Sequence, residues 1–260
     1  MLNALTVDVE EWFDTVLFRS PPPGARSRLP ENVAAILALL DKHSFKATFF
    51  ILGSVARAHP GAVNAIAAAG HEVASHGDNH ASVFRLSPAE FRQSLEASRD
   101  TLAALTGRRP AGYRAPTFSI GGSGEEWLAA VKAAGYAYDS SLYPLPFSGR
   151  RAEPHQRPCG LTEFPPSVSG CCGLKVPFLG GSFLRLLPAW LIASRLAGLN
   201  SRGIPGMLYF HSWEFEDPKP AGAGLAAAAG QFLNVASVPR KVDALLGAFK
   251  FAPAREVLGL

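Results

Sequence analysis

The sequence predicts an α/β fold whose parallel strands curl into a barrel-like sheet of about seven βα units. Short apolar or β-branched runs recur along the chain, helical patterns separate them, and no phosphate-binding Gly-rich fingerprint follows the first run. Strands separated by helices favour parallel pairing, and the missing fingerprint argues against a dinucleotide-binding fold. An open doubly wound sheet is the alternative. The 260 residues, about half of them hydrophobic, are expected to form one domain spanning residues 1–260.

Seven runs are predicted as strands because they are rich in apolar, β-branched or aromatic residues. In chain order they are "ALTVDVE", "KATFFIL", "HEVASH", "AGYRA", "YAYDSS", "GLTEFP" and "GMLYFHSW". The terminal "FAPAREVL" is predicted to add an edge strand.

Five helical patterns lie between and after these strands. "PENVAAILALLDKH" carries an apolar stripe, and "SVARAHPGAVNAIAAAG" is predicted as one helix ending at Gly70. "SPAEFRQSLEASRDTLAALTG" has the clearest signals, since Ser87 is a good N-cap, Glu90 completes a capping box and Gly107 ends the pattern. "GEEWLAAVKAAG" and "PRKVDALLGAF" complete the set.

Composition and charge exclude several classes of protein. The net charge is +4, but no lysine-rich run or aromatic-basic interleaving is present, so no nucleic acid is expected as a partner, while an acidic ligand stays open. Three cysteines, two of them adjacent and without CxxC spacing, argue against a disulfide framework or a cysteine zinc site. The oligomeric state is left open.

The sequence also bears on location. The N-terminus "MLNALTVDVEEWF" has no basic region followed by a long apolar core, so no signal peptide is visible. No run of about 18 strongly apolar residues is present, so no integral membrane segment is expected. We therefore expect a cytoplasmic protein, with peripheral association to glycan-synthesis machinery in a membrane as an alternative.

Chemically active side chains cluster at the predicted carboxyl ends of the strands, where βα folds place their working residues. They are Asp8, Glu10, His76, His80, Arg114, Asp139 and His211. Two imidazoles and a carboxylate suit Zn²⁺ or a similar divalent ion. Taken singly these signals are weak: HxxxH recurs by chance, an arginine often makes a surface salt bridge, and a histidine at a strand end is often a core residue.

Strand alternation selects the carboxylate. Asp8 and Glu10 share one face while Val9 points into the core, and Glu11 lies on the wrong face unless the strand has already ended. Glu10 is therefore the predicted ligand, and Asp8 is left free to act as a base.

The chain resembles the polysaccharide deacetylases of the NodB-homology type, carbohydrate esterase family 4. Five motifs match in order: "TVDVE", "HGDNH", "RAPTF", "YDSS" and "YFH". In detail it is most similar to the exopolysaccharide-biosynthesis branch associated with exosortase systems, through "DVEEWF", "GHEVASHG", "YRAPTFSI", "YDSSLYP", "EFPPS", "FHSWEFEDP" and "FAPAREVL". The resemblance implies a distorted (β/α)7 barrel that removes N-acetyl groups from the amino sugars of an N-acetylated glycan.

The resemblance also implies a divalent metal, commonly Zn²⁺ with Co²⁺ and Ni²⁺ as alternatives, on Glu10, His76 and His80. Asp8 would be the general base, held ionised by Arg114. Many family members place the ligand directly after the first aspartate, where this chain has Val9, so the ligand shifts by one residue to Glu10.

The remaining implied roles concern the leaving amine and the sugar. His211 would be the general acid, Asp139 would orient it, and a backbone N–H near Thr117 would bind the oxyanion. Aromatic side chains are expected to stack on sugar rings, although aromatics at strand ends often only close the core. The predicted substrate-binding residues are Trp12, Thr117, Phe118, Tyr143, Phe147 and Trp213.

Two other functions fit the same motifs. One is an allantoinase-like hydrolase of a small cyclic amide on this scaffold. The other is a catalytically inactive glycan-binding relative, against which the intact base and acid argue.

Overall fold

The computed structural model describes residues 1–15, 18, 21–22, 24–121, 124–144, 149–171, 174–215 and 230–260. Within these residues the strands are β1 (Leu2–Val9), β2 (Thr48–Ile51), β3 (Glu72–Ser75), β4 (Gly112–Tyr113), β5 (Tyr138–Asp139), β6 (His155–Gln156), β7 (Thr162–Glu163), β8 (Val168–Cys171), β9 (Leu174–Pro177), β10 (Met207–His211) and β11 (Lys250–Ala252).

Nine of the described strands form one curled sheet in the order β10-β1-β2-β3-β4-β5-β7-β6, with β11 beside the start of β1. The run from β10 to β7 is parallel throughout, and β6 adds an antiparallel edge. The seven predicted strands are these seven parallel strands, so the α/β barrel-like fold is confirmed, as a half-barrel that stays open in the described residues. Strands β8 and β9 form a separate hairpin.

Nine α-helices are described. They are α1 (Leu29–Lys42), α2 (Gly53–Ala58), α3 (Pro60–Ala68), α4 (Pro88–Thr106), α5 (Glu125–Ala133), α6 (Gly181–Leu186), α7 (Ala189–Asn200), α8 (Val238–Ala248) and α9 (Ala254–Val257). Short 3-10 turns cover Val83–Arg85, Pro116–Phe118, Ser212–Phe215 and Val235–Ser237. No helix in this described part is both long and apolar enough to cross a membrane.

The capping signals of α4 were read correctly from the sequence. The Ser87 side chain accepts a hydrogen bond from the Glu90 N–H, and the Glu90 carboxylate accepts one from the Ser87 N–H. Gly107 follows in the left-handed region at φ 70°.

Three predictions of elements were wrong or incomplete. The predicted helix ending at Gly70 is two helices that meet at His59, because Pro60 has no N–H and disfavours helical backbone in the residue before it. The terminal segment forms β11 and then α9, so only its first residues are strand. Helices α6 and α7 and the β8–β9 hairpin were not predicted.

Alternation along β1 separates the core from the interior of the half-barrel. Leu5, Val7 and Val9 pack into the main apolar cluster beneath the helices. Ala4 belongs to a second cluster, together with side chains of β2, β3, β5 and β10. Because side chains alternate, Asp8 lies on the same face as Ala4, at the carboxyl end of the strand.

Candidate active site

A cavity of about 360 Å³ opens at the carboxyl ends of the parallel strands. Its wall includes Asp8, Glu10, Thr15, His76, His80, Thr117, Phe118, Gly181, Ser182, Arg185, Tyr209, His211, Trp213, Gly230 and Gln231. Five of the seven polar residues predicted from the strand ends therefore share one cavity. Arg114 lies behind this wall, and Asp139 lies farther along the sheet.

Asp8 and Arg114 form a buried ion pair. Arg114 Nη1 donates to Asp8 Oδ1 over 2.6 Å, and neither side chain is more than 3% exposed. The same nitrogen donates to Thr6 Oγ1, and Nη2 donates to Ser140 Oγ. The guanidinium carbon also lies 4.1 Å from the centre of the Phe50 ring. These contacts hold Arg114 in one orientation, so its positive charge stays beside Asp8.

Glu10, His76 and His80 bring one donor atom each within 4.8 Å of one another. His76 Nδ1 lies 2.8 Å from the Arg114 carbonyl oxygen. A carbonyl can only accept, so Nδ1 carries the proton and Nε2 presents its lone pair to the cluster. His76 Nε2 and His80 Nε2 lie 3.7 Å and 2.9 Å from the same oxygen, Glu10 Oε2.

This cluster fits a divalent cation. Glu10 Oε2 is buried and makes no hydrogen bond within the described residues, although two imidazoles face it. Burial raises the pKa of Glu10, but His80 and His76 outweigh burial and hold that pKa well below its ordinary value. An ionised carboxylate opposite two imidazole nitrogens is a donor set for Zn²⁺ and its neighbours in the transition series.

Glu11 points away from the cluster. Its carboxylate accepts a short hydrogen bond from Ser27 Oγ and lies 3.8 Å from His59 Nε2. Glu10 instead accepts a hydrogen bond from Trp213 Nε1 over 3.2 Å. The two neighbouring glutamates thus contact different residues, and of the two only Glu10 faces His76 and His80.

His211 ends β10 and presents its Nε2 to the cavity. Glu214 Oε2 lies 3.1 Å from His211 Nδ1 and also accepts from the His211 backbone N–H. His211 Nε2 lies 3.9 Å from Glu10 Oε1, and the imidazole stacks on the Trp213 ring. Burial lowers the pKa of His211, but the neighbouring carboxylates, led by Glu214, outweigh burial and raise it to about 9.

The predicted contact between Asp139 and His211 is wrong. Asp139 accepts from the backbone N–H and the hydroxyl of Ser141, and it stands opposite Glu163 across β5 and β7. Burial, followed by the charge of Asp139, raises the pKa of Glu163 well above its ordinary value, so Glu163 is the protonated member of this pair. Ser141 Oγ in turn accepts from the Ala115 N–H, so Asp139 supports the segment leading to Thr117.

The predicted sugar-binding residues divide into several groups. Thr117 and Phe118 line the cavity, both with φ near +55° (55° and 53°), a conformation that costs energy for residues other than glycine. Tyr143 packs against Phe118 behind the wall. The prediction for Trp12 is wrong, because it is 5% exposed and packs in an aromatic core with Phe18. Phe147 lies outside the described residues.

Sequence reasoning misread Trp213 and missed Glu214, Arg185 and Tyr209. Trp213 lines the cavity but is only 3% exposed. Its indole N–H donates to Glu10, and the face of its ring stacks on the His211 imidazole. Glu214 also accepts from Arg185 Nη1 over 3.0 Å. The signal that could have revealed Glu214 is its spacing in "FHSWEF", three residues after His211. One helical turn brings a residue at that spacing beside the histidine.

Two family models divide the chain between them. Residues 13–138 match the polysaccharide deacetylase model. These residues, just under half of the chain, carry a polysaccharide deacetylase domain. Residues 137–259 match a domain of unknown function, DUF3473. The histidine pair and Arg114 lie in the first matched segment, and His211 and Glu214 lie in the second, while Asp8 and Glu10 precede both.

Curated relatives match less than half of the chain. It is 32% identical over 113 residues to a peptidoglycan deacetylase-like protein of Gibberella zeae, covering 43% of this chain and 32% of that protein. It is 34% identical over 86 residues to a peptidoglycan-N-acetylglucosamine deacetylase of Bacillus cereus, covering 33% and 31%. It is 37% identical over 82 residues to a chitooligosaccharide deacetylase of Bradyrhizobium, covering 31% and 37%. The chain thus spans about a third of the length of these relatives.

Solved structures share the fold over nearly the whole chain. A Mycobacterium smegmatis protein assigned as a polysaccharide deacetylase superposes with a TM-score of 0.66 at 23% identity, covering 98% of this chain and 88% of that one. A carbohydrate esterase family 4 pseudoenzyme of Bacillus anthracis superposes with a TM-score of 0.55 at 15% identity, covering 99% and 65%. At these identities the likeness establishes the fold alone.

Proposed function

We propose that this protein is a metal-dependent hydrolase that removes N-acetyl groups from the amino sugars of a glycan. The observation that carries the proposal is convergence. Asp8, the Glu10–His76–His80 cluster and His211 all line one cavity, Arg114 holds Asp8 from behind the wall, and His211 Nε2 lies 3.9 Å from Glu10 Oε1. Amide hydrolysis needs a base, an acid and stabilisation of an oxyanion, and this set can supply all three.

Asp8 is the proposed base. Arg114 donates to one of its oxygens and holds the carboxylate in place on the cavity wall. Asp8 accepts a proton from the attacking water as the water oxygen bonds to the amide carbon.

His211 is the proposed acid. Glu214 occupies the Nδ1 side of its ring, so the Nε2–H faces the cavity. As the carbon–nitrogen bond breaks, this N–H donates its proton to the departing nitrogen, which leaves as a neutral amine. The second product forms as acetic acid and ionises to acetate. Of its proton and the proton held by Asp8, one restores the Nε2–H of His211 and the other is released to solvent.

Glu10, His76 and His80 are the proposed ligands of a divalent ion, most simply Zn²⁺, which when bound supplies Lewis acidity that polarises a carbonyl and lowers the pKa of water. The lone pair of His76 Nε2 and the buried, unsatisfied Glu10 Oε2 support this assignment. Thr117, in its left-handed backbone conformation on the wall, is the proposed source of an N–H for the oxyanion.

We further propose that residues 1–260 act as one catalytic domain. Asp8 of β1 and His211 of β10 are register partners on adjacent parallel strands. Strand β1 precedes both matched segments and lies between β2 of the first segment and β10 of the second, so it joins the two. The resemblance of the motifs to the exosortase-associated branch supports an exopolysaccharide as the glycan.

Acetate release and metal analysis together test the proposal. We expect purified protein to contain about one divalent ion per chain, to release acetate from N-acetylated chitooligosaccharides or peptidoglycan fragments, and to leave allantoin intact. His80→Ala should lose both the metal and the activity. A protein that binds metal yet cleaves only allantoin would favour the cyclic-amide alternative. Metal and glycan binding without acetate release from any N-acetylated glycan would favour the inactive relative.

A further inference from the structure

A second cavity lies at the opposite end of the sheet from the candidate active site. It has a volume of about 560 Å³ and is formed by residues before β2, β3 and β4 and after β11. We call it the basal cavity and define it by Lys46, His71, Arg108, Arg109 and Arg255. Along β3, Glu72 at this end and His76 at the other are four residues apart, or about 13 Å. A ligand here would not touch the reacting atoms.

Four cations surround the basal cavity with little compensation. The charged groups of Lys46, Arg108, Arg109 and Arg255 are on exposed residues. None of the four makes a side-chain hydrogen bond or a salt bridge with another residue in the described parts of the chain. An excess of positive charge around a concave surface attracts anions.

The two acidic residues of the wall do not cancel this charge. Glu72 is 8% exposed, and its oxygens accept from the hydroxyls of Thr48 and Tyr138. Burial raises the pKa of Glu72, and one of its oxygens also accepts from the Arg255 backbone N–H. Glu256 lies exposed on α9, so the wall sets two carboxylates against four cations and keeps an excess of positive charge.

His71 supplies a neutral donor in the same wall. It is 9% exposed, and its Nδ1 accepts from the Ala47 N–H over 3.1 Å. The proton of the neutral ring is therefore on Nε2, which makes no hydrogen bond with the described residues. Burial and the nearby Lys46 lower the pKa of His71 to about 4, so the ring is neutral at pH 7.

We infer that the basal cavity binds a phosphate-bearing anion. Three guanidinium groups and an ammonium group match the several oxygens and the double charge of a phosphate, and guanidinium forks suit that geometry. A carboxylate would leave most of these cations uncompensated. The phosphate can belong to a soluble molecule or to a lipid headgroup, and both present the same chemistry to the wall.

Titration calorimetry with inorganic phosphate at constant ionic strength tests the soluble source. The wild-type chain should bind phosphate saturably, and the double variant Arg108→Ala/Arg255→Ala should bind it about tenfold more weakly or not at all. Both arginines are exposed, so the variant should fold, which circular dichroism checks. The matched control is Arg202→Ala, an exposed arginine after α7, which should bind like the wild type.

Vesicle cosedimentation tests the headgroup source. Binding to vesicles containing phosphatidylglycerol but not to pure phosphatidylcholine, lost in Arg108→Ala/Arg255→Ala, supports the inference with a lipid as the ligand. Phosphate binding without vesicle binding supports it with a soluble ligand. Failure of both ligands to bind overturns it. Binding that survives the double variant but disappears in Glu10→Gln places the anion at the candidate metal site and also overturns it.

Discussion

The ion pair of Asp8 with Arg114 determines what Asp8 can do at neutral pH. Both groups are buried, so the attraction between them is screened less than it would be at the surface. Arg114 also donates to the hydroxyl oxygens of Thr6 and Ser140, and these contacts keep the guanidinium in place independently of Asp8. Arg114 is thus a positioning residue whose effect on the reaction passes through Asp8.

Asp8→Asn should lower acetate release by about 10²- to 10⁴-fold without loss of the metal. Asparagine keeps an oxygen for Arg114 but cannot take a proton at neutral pH. Turnover with an N-acetylated chitooligosaccharide and metal content by mass spectrometry are the measurements. Asp41→Asn, an exposed change on α1, is the control and should match the wild type. Near-normal turnover by fully metallated Asp8→Asn would rule out Asp8 as the base.

Glu214→Gln should lower the pKa of His211 from about 9 toward its ordinary value. The carboxylate of Glu214 is the leading contribution that raises this pKa against burial, and glutamine removes the charge. Titration of the His211 ring nitrogens by NMR in metal-free protein is the measurement. Asp139→Asn is the matched comparison, and its effect on His211 should be much smaller. A larger shift in Asp139→Asn would restore Asp139 as the orienting residue.

Alternation along a strand was enough to distinguish Glu10 from Glu11, because β1 stays regular up to Val9 and both carboxylates come directly after it. It was not enough to find the partner of His211. That partner lies in the 3-10 turn Ser212–Phe215, whose three-residue repeat brings Glu214 back beside the histidine. The sequence therefore predicted the side chain that directly follows a strand, Glu10, and did not predict the one placed by a turn, Glu214.

At the scale of elements, strands were easier to predict than the segments between them. Each of the seven parallel strands contains or directly adjoins buried apolar residues, as Leu161 and Phe164 flank β7. Helix α7, in contrast, follows α6 after Leu187 and Pro188, and both carry exposed apolar residues such as Leu186 and Trp190 that obscure their pattern. The break at His59 was available from Pro60 alone. There the effect of Pro60 on the backbone ended the helix, although the apolar pattern continues across the break.

The start of α6 is fitted closely to the cavity wall. A side chain added at Gly180 would collide with the ring of Tyr209, with which Gly180 also forms a parallel bridge. Gly181 has φ 53° and faces the same ring. Because Tyr209 lines the cavity, the two glycines couple this turn to the shape of the wall.

Gly180→Ala should destabilise the protein by about 1–3 kcal/mol and raise KM by displacing Tyr209. Gly198→Ala is the matched control, since Gly198 lies on the exposed side of α7 with open space around it. That change should stabilise the protein by about 0.5–1 kcal/mol with KM unchanged. Urea denaturation and steady-state kinetics are the measurements. Equal stability of the two variants would contradict the close packing at Gly180.

For the whole molecule, the pairing of β1 with β10 joins distant parts of the sequence. Five register pairs connect Ala4–Asp8 with Met207–His211, and Ser212 Oγ donates to the Glu10 carbonyl. The base side and the acid side of the cavity are therefore fixed by one strand pair. Sequence order gives no sign of this closure, because it depends on the curl of the whole sheet.

Acid should destabilise the whole protein through His71, which lies in the wall of the basal cavity, at the end of the sheet remote from the candidate active site. The pKa of His71 is about 4 in the folded state and close to 6.5 in an unfolded chain, so below pH 6.5 the unfolded state binds the extra proton. Stability should therefore fall as pH falls from 6.5 toward 4, and the part due to His71 should reach about 2 kcal/mol at pH 5.

Comparing variants isolates this contribution from other titrating groups. His71→Asn retains an acceptor for the Ala47 N–H but cannot take up a proton, so its loss of stability between pH 7 and pH 5 should be smaller than that of the wild type. His43→Asn, which changes a histidine paired with Asp243, should not reduce the loss. Urea denaturation in phosphate-free buffer measures all three, because phosphate bound in the basal cavity would stabilise the folded state by mass action. Parallel curves for the wild type and His71→Asn would show that folding leaves the pKa of His71 unchanged, against the lowered pKa on which the prediction rests.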